Sequence, residues 1–566
     1  MKILGIGGQG YRDSGAVLLI DGQLVAAASE ERFTRFKHEG GFPRAAIDFC
    51  LREAGVKAGD LDRIAVANNP WLKLRERLEE WYGADFLSSG RFKAFHIFHD
   101  EMHAAVRYLA EVDRLRGAGG ERIRVVRHHL CHLAEAFYLS PFEEAALLTI
   151  DGRGELSASS QGAGRPGGIE IYSVAEMPNS LGLLCASVAD FLGFREEDDE
   201  FRIMSISSLG EPRYLETFRR ILRPLPDGAY ALNPEYFDTF EGRAFLSERF
   251  STELGAGREP GSEVEERHAD IAASLQFVLE EVVLHMARHL HDRTGLSNLC
   301  LSGGVAQNWV LGGRIRADGP FARVHTGFAP GDEGTALGAA LHLAAREGEP
   351  ACRTARSDLG PAFTRAQVSA ELLRVGLVPA VPQDAVADAA ARIAAGRLVG
   401  WFEGRAEFGP RALGQRSIFC DPKNPEAKER LVTRVKPRAR YHPFGVAVAA
   451  GDLARYFTDS RPDPFMTSHR AVRPEVRTIL APVLHTDGTA RVQTVPSDHP
   501  GSLHRLLRAM GDRTGHPVLL NTSLNIPGKP LATTVRDALG TFFTSGLDDL
   551  FLEGLGLVKA PEEPRT

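Results

Sequence analysis

Cysteine is scarce: six residues, at 50, 131, 185, 300, 352 and 420, with no Cys-x-x-Cys pair among them. That scatter excludes a disulfide framework and a cysteine-rich zinc site, and fits reduced thiols in the cytoplasm. No stretch approaches the ~20 apolar residues a membrane-spanning helix needs. The opening Met1-Lys-Ile-Leu-Gly-Ile-Gly7 is too short an apolar run for a signal peptide. Basic excess is missing too. The 67 Lys and Arg stand against 74 Asp and Glu, a net charge of −7 that argues against general nucleic-acid binding but leaves room for a local phosphate site. Low-complexity tracts are lacking as well. The expectation is a soluble cytoplasmic protein, and 566 residues exceed one core, so at least two domains are expected.

What is present alternates between strand and helix patterns. Lys2–Gly7 reads as a strand, followed by a glycine-rich turn, the strand Ala16–Ile20, an Asp21-Gly22 hairpin and the strand Gln23–Ala28. A second copy runs from the strand Ala145–Ile150 through Asp151-Gly-Arg-Gly-Glu155 and a glycine-rich turn at Gly162–Gly168 into Ile169–Val174. Each copy is expected to present a glycine-rich tip whose N–H groups could face a phosphate. A duplicated hairpin-plus-helices unit is how actin-like ATPase folds are built. Glu265–Thr294 reads as a core helix, with Ile271, Leu275, Val278, Leu279, Val282, Val283 and Met286 at helical spacing. After the strand Leu299–Ser302, two glycine-rich loops run into helices. In them Gly303, Gly304, Asn308 and Gly331, with Gly152 and Gly154 upstream, are candidates for close backbone approach to a cofactor. The aperiodic polar stretch 349–362 reads as a linker between a domain at 1–348 and a second α/β domain at 363–566. There, helices at Thr364–Val375, Ala385–Ala395 and Thr534–Thr544 alternate with strands at Leu398–Phe402, Val518–Leu520 and Leu550–Leu552, and Asn521–Gly528 reads as a loop.

Two constellations carry chemistry. His128 and His132 are four residues apart, on one face of a helix, and Asp151 ends the apolar run that follows. Imidazoles beside a strand-end carboxylate make a mixed N/O metal site plausible, and the donor set leaves Fe(II), Mn(II) and Zn(II) open. Asp332, between Gly331 and Gly334, reads as a helix N-cap with room to act as a further ligand. The second constellation is basic. Between 405 and 440, ten basic residues (Arg405, Arg411, Arg416, Lys423, Lys428, Arg430, Arg434, Lys436, Arg438, Arg440) face only Glu407, Asp421, Glu426 and Glu429. Glycines interleave the arginines of Gly404–Ser417, which a solvated helix would not need, so phosphate binding is favoured.

At these residues the chain resembles the NodU/CmcH family of carbamoyltransferases, the tailoring enzymes of antibiotics and Nod factors. The likeness runs nearly end to end: Ser29-Glu-Glu-Arg-Phe-Thr-Arg35 with Lys37-His38, His128-His-Leu-x-His132, Asp151-Gly-x-Gly-Glu155, Asn179-Ser-Leu-Gly182, Gly303-Gly-Val-Ala-x-Asn308, the arginine motif Gly404–Ser417, Arg491-x-Gln-Thr494 and Asn521-Thr-Ser523. The resemblance implies an actin-like carbamoyl-transfer domain followed by a YrdC-like domain that makes carbamoyl adenylate from carbamoyl phosphate and ATP with Mg. It implies Fe(II) on His128, His132, Asp151 and Asp332, and places Lys436, Arg491, Asn521 and Ser523 at the phosphates. Arg12, Asp13, Lys436 and Arg411 are then the catalytic candidates. Glu30, Arg32, Lys37, His38, Arg405, Arg416, Arg440 and His442 join the substrate-binding set. The partners implied are small molecules, including an acceptor hydroxyl or amine of a natural product, with no nucleic acid and no membrane; a homodimer is left open.

The chain departs from the family pattern in places. Arg12-Asp13-Ser14-Gly15 stands where the family carries His-Asp-Ser-Ala, and an arginine stays protonated, so it cannot be a general base. His442-Pro-Phe444 replaces Arg-Pro-Phe, Gly528-Lys529-Pro530 replaces Gly-Glu-Pro, and Arg202-Ile-Met-Ser205 replaces Lys-x-Met-Gly. The alternatives are a catalytically silent nucleotide-binding relative or scaffold and, against the arginine-rich second domain, an actin-fold sugar kinase.

Overall fold

The computed structural model describes residues 1–8, 12–69, 106, 108, 110–112, 114, 122–194, 200–240, 243–350, 352–353, 356–437 and 444–559. The chain forms two compact units, Met1–Glu30 with His38–Ala355 and Glu31–Lys37 with Arg356–Thr566.

The first unit is built on two five-stranded sheets of the same order. In one, β1 (Lys2–Gly7), β2 (Gly15–Ile20), β3 (Gln23–Ser29), β4 (Arg63–Ala67) and β5 (Ile123–Val126) run β3-β2-β1-β4-β5. In the other, β6 (Ala145–Gly154), β7 (Ser157–Arg165), β8 (Gly168–Glu176), β9 (Asn298–Ser302) and β10 (Arg323–Thr326) run β8-β7-β6-β9-β10. Each sheet pairs its first three strands antiparallel and its last two parallel to the first. This repeat of order and direction is the duplication expected of an actin-like domain. Strands β1, β4, β6 and β9 are buried along nearly their whole length. They therefore read as continuous apolar runs rather than alternating ones.

Helix α1 (Arg44–Glu53) packs on β2 and β3, and α2 (His128–Tyr138) follows β5 directly. Helix α3 (Glu266–Thr294) buries all seven apolar residues of its expected stripe and stops at Gly295, whose φ of 64° is the left-handed conformation that ends helices. After α4 (Trp309–Asp318), α5 (Thr335–Arg346) lies against β1, β4 and α2.

The expected glycine-rich tip at Gly162–Gly168 is corrected. Gly162 and Gly164 sit inside β7, paired with Ile171 and Ile169, and the turn is confined to residues 166–167. A methyl on Gly162 would lie 2.2 Å from the Glu170 carbonyl oxygen, and one on Gly164 would lie 2.6 Å from the Phe137 ring. These glycines make room for neighbouring chain rather than for phosphate. Asp151-Gly-Arg-Gly154 likewise belongs to β6 rather than to a loop.

The second unit carries one eight-stranded mixed sheet. Its strands β11 (Val399–Phe402), β12 (Arg416–Cys420), β13 (Gly445–Ala449), β14 (His469–Ala471), β15 (Thr489–Val495), β16 (Val518–Ser523), β17 (Asp549–Leu552) and β18 (Leu555–Val558) run β14-β15-β13-β16-β12-β11-β17-β18. Helices α6 (Ala385–Ala394) and α7 (Leu503–Thr514) cover one face, against Val399, Trp401, Phe419, Ala447, Leu519 and Phe551. The other face buries Phe402, Ile418, Val446, Val492, Leu520 and Leu550. Asn521–Ser523, expected as loop, continue β16, because their backbone pairs with β12 and β13. No described helix is long and apolar enough to cross a membrane.

Candidate active site

His128 opens α2, and its backbone N–H donates to Glu155 Oε1 at 3.0 Å, so a carboxylate from the β6–β7 turn caps the helix. His132 lies one turn on, and the two rings meet edge to face with centroids 4.6 Å apart. Their Nε2 atoms are 2.9 Å apart. Asp151 Oδ2 is 3.0 Å from His128 Nε2 and 3.5 Å from His132 Nε2. Its Oδ1 accepts from the Gly304 N–H at 2.8 Å, which fixes the carboxylate plane. Asp332 Oδ1 is 3.3 and 3.6 Å from the same two nitrogens. One ligand atom from each residue lies within 4.8 Å of every other, the only such grouping among the described residues. Asp332 does not cap a helix as expected: α5 begins three residues later, and Thr335 Oγ1 donates to the Asp332 carbonyl.

Two imidazole nitrogens this close repel unless a proton or cation lies between them, and two carboxylates aim at the same point. Burial alone would lift the Asp151 carboxyl, but hydrogen bonds from His128 and His132 hold it well below the usual range. Burial would lower the His128 ring, but Asp332 and Asp151 carry it well above its ordinary value. The cluster is thus balanced around positive charge, which a divalent cation would supply as well as protons do. The chemistry of the donors, two imidazoles and two carboxylates, fits a first-row divalent ion. Gly154 is part of this fit, since a Cβ there would lie 2.2 Å from His128 Cδ2.

Two buried acids behind the cluster were not anticipated. Glu135 is fully buried on α2, and Glu333 follows Asp332; burial pushes both up to about 8. Both are therefore mostly protonated at neutral pH. Glu135 was findable, being three residues from His132 and seven from His128 on the same helical face. His129 points away to Ser160 Oγ at 2.9 Å and is held down to about 3 by burial.

The remaining candidates of the first unit divide by role. Asp13 faces His38, with Nδ1 at 2.9 and 3.1 Å from its two carboxylate oxygens, and Arg12 adjoins it in sequence. Glu30 accepts the Ala45 and Ala46 N–H groups at 3.1 and 2.8 Å, so it holds the start of α1. Asn308 caps α4 through the Leu311 N–H and donates to Gln276, which occupies its amide. Gly303 has φ 92° and, with Gly304, wraps the end of β6 next to Asp151. A Cβ added at Gly331 would meet Gln307 and Glu333, whereas one added at Gly152 would meet nothing nearer than Leu183 Cδ2 at 3.9 Å.

In the second unit, Lys436 directly follows the wide-turn helical segment Leu431–Val435. Its Nζ donates to the Asn525 carbonyl at 2.6 Å and to Ser523 Oγ at 3.3 Å, with Asn525 Oδ1 also in contact. Asn521 donates to Gln493 Oε1 at 2.7 Å and to the Ala412 carbonyl at 3.2 Å. Gly445 of β13 pairs with both Arg491 and Asn521, which sets these side chains in one row across the sheet. Gln493 and Asn525 are not among the residues expected from sequence, although Gln493 lies within Arg491-x-Gln-Thr494.

The arginine loop works differently from the expectation of converging phosphate ligands. Arg416 is fully buried and donates to the Glu403, Gln415, Pro361 and Gly404 carbonyls at 2.8–3.1 Å. Its guanidinium lies 3.6 Å over the Phe402 ring, and burial lowers it to about 10. Four carbonyls use its fork, so Arg416 pins the loop. Arg405 donates to the Gly360 and Leu359 carbonyls, and Arg430 pairs with Asp548. Glu407, buried, accepts the N–H groups of Leu413, Gln415 and Arg416. Arg32 donates to the Gly409 carbonyl at 2.8 Å and Lys37 is exposed, while Arg411 at the loop tip is half-buried. Arg440 and His442 lie outside the described residues.

The family model described as carbamoyltransferase N-terminus matches residues 2–341, and that described as carbamoyltransferase C-terminus matches residues 390–559. The nodulation protein NolNO of Sinorhizobium fredii is 35% identical over 572 residues, 98% of this chain and 80% of its own length. An uncharacterised protein of Synechocystis is 35% identical over 604 residues, 100% of this chain and 97% of its own. Among solved structures, component A of the (R)-2-hydroxyglutaryl-CoA dehydratase of Acidaminococcus fermentans covers 61% of this chain and 99% of its own at 15% identity. Its TM-score of 0.32 is too low for that likeness to carry weight. With both halves matched in order, the chain belongs to the carbamoyltransferase family.

Proposed function

We propose that this protein is an ATP-dependent enzyme that moves a carbamoyl group from carbamoyl phosphate, through carbamoyl adenylate, to a hydroxyl or amine of a small natural product. The observation that carries the reading is the convergence of His128, His132, Asp151 and Asp332 in a chain of this family. In the second unit, the Lys436 ammonium beside Ser523 and Asn525, with Arg491 in the row of Asn521, offers positive charge and donors for phosphate oxygens. Glu407 and Arg416 keep the arginine loop in shape, so that binding energy is not spent on ordering it. In the first unit, a divalent cation on the four donors would supply Lewis-acid polarisation of the carbamoyl carbonyl. Asp151, pinned by the Gly304 N–H, and the two imidazoles on one helix face set the position of that charge in advance.

The test is pyrophosphate release from purified protein given ATP, carbamoyl phosphate and a divalent cation. Release that depends on carbamoyl phosphate is the expected result. Tight nucleotide binding without release would instead support a silent relative, and ADP as product would support a kinase.

A further inference from the structure

An acceptor hydroxyl must lose a proton as it attacks, and Arg12 cannot take it. The first unit holds a different pair for that task. His38 Nδ1 meets both carboxylate oxygens of Asp13, at 2.9 and 3.1 Å. Both residues have left-handed backbone, φ 57° at His38 and 52° at Asp13. For residues other than glycine this conformation is unfavourable and persists only where the surroundings impose it. Here Ser14 imposes it, because its N–H and its Oγ both donate to the Glu39 carbonyl, at 2.8 and 3.0 Å, and tie the two turns together. Two strained residues thus meet through their side chains. They remain a quarter open, with side-chain exposures of 25% and 23%. The pair also lies near the four-donor cluster: Gly7, paired with Gly15 two residues after Asp13, would carry an added methyl 2.5 Å from Thr335 Oγ1, three residues after Asp332.

Resting on the carbamoyl-transfer reading above, we propose that His38 is the general base for the acceptor and Asp13 its positioning residue. The Asp13 carboxylate keeps the ring proton on Nδ1, which makes Nε2 the basic nitrogen. The acceptor oxygen forms a bond to the carbamoyl carbon while its proton passes to Nε2. The bond from that carbon to the adenylate phosphate oxygen breaks, and AMP leaves with the electron pair. The resulting imidazolium is stabilised by Asp13 and returns its proton to water. The charged group facing the ring is Asp13; Lys37 and Glu39 adjoin His38 in the chain, and Arg12 adjoins Asp13.

The experiment compares two acceptors in the full-length protein with ATP, carbamoyl phosphate and a divalent cation. Water needs a base, and its attack is read as AMP. Hydroxylamine is already unprotonated at neutral pH, and its attack is read as hydroxyurea. In His38→Gln the ratio of hydroxyurea to hydrolytic AMP should rise about 100-fold or more, the usual worth of a general base. An unchanged ratio overturns the assignment. In Asp13→Asn the pH midpoint of hydrolytic AMP formation should move toward acid, because the imidazole loses its anionic partner; an unmoved midpoint overturns the role of Asp13 and does so even if His38→Gln fails to fold. Wild-type protein that releases no pyrophosphate at all would overturn the carbamoyl-transfer reading and the base with it, whereas normal release with an unchanged ratio would remove only the base.

Discussion

Gly154 offers a sharp test of the metal-centre geometry. It closes β6 against the start of α2, and a methyl group there would lie 2.2 Å from Cδ2, 2.5 Å from Cγ and 2.7 Å from Cβ of His128. Turning the ring about its first torsion moves Cγ and Cδ2 but not Cβ, so Gly154→Ala must displace the helix start itself. Overpacking of this kind costs about 1–3 kcal/mol of stability. Displacing one ligand should weaken a metal site about as much as losing a supporting contact, about 10–100-fold in affinity. Gly152→Ala is the control, since nothing lies nearer its added methyl than Leu183 Cδ2 at 3.9 Å. Calorimetric titration with Mn(II) or Fe(II) should find Gly152→Ala close to wild type and Gly154→Ala weakened at least tenfold. Equal affinities in the two variants would refute the reasoning.

His132→Ala should strip the cation and abolish carbamoyl transfer while leaving pyrophosphate release within about threefold of wild type; equal loss of both half-reactions would contradict a division of labour between the units. Glu407→Ala leaves the N–H groups of Leu413, Gln415 and Arg416 without their shared acceptor, at a cost of about 1–3 kcal/mol, so the melting temperature and the rate of pyrophosphate release should both fall. Glu135 and Glu333, raised to about 8, hold protons in the folded state that the unfolded chain releases near 4.5. Folded protein therefore binds more protons between those values, and metal-free stability should decline as pH rises from about 4.5 to 8, by up to about 1.4 kcal/mol per pH unit for each group. Glu135→Gln should flatten that decline in denaturant titrations across the range, and an unchanged slope would count against a buried neutral acid.

Much of the fold was readable because local pattern and tertiary need agree. The strands at the front follow from short apolar runs bounded by glycine-rich turns, and the α3 stripe follows from helical periodicity. The spacing of His128 and His132 announces a shared helical face, since four residues make one turn. That Asp151 and Asp332 join them depends on β6 and α5 both packing against α2, and no local signal encodes that distance. Glycine misled for a related reason. In Gly162 and Gly164 its role is steric, serving a carbonyl and a ring from other segments, and composition cannot distinguish that from a turn. Arg416 misled likewise: an arginine among glycines suits a phosphate, yet here four carbonyls and the Phe402 face take up its charge. Asn521–Ser523 looked like loop because their side chains are polar, while their backbone completes a central strand.

The most direct measurement is an anomalous-difference map from crystals grown with Mn(II) or Fe(II), collected at the absorption edge of the ion. The account predicts one strong peak between His128 Nε2, His132 Nε2, Asp151 and Asp332 Oδ1. Active crystals with no peak at that point, or with the ion bound elsewhere in the chain, would contradict it.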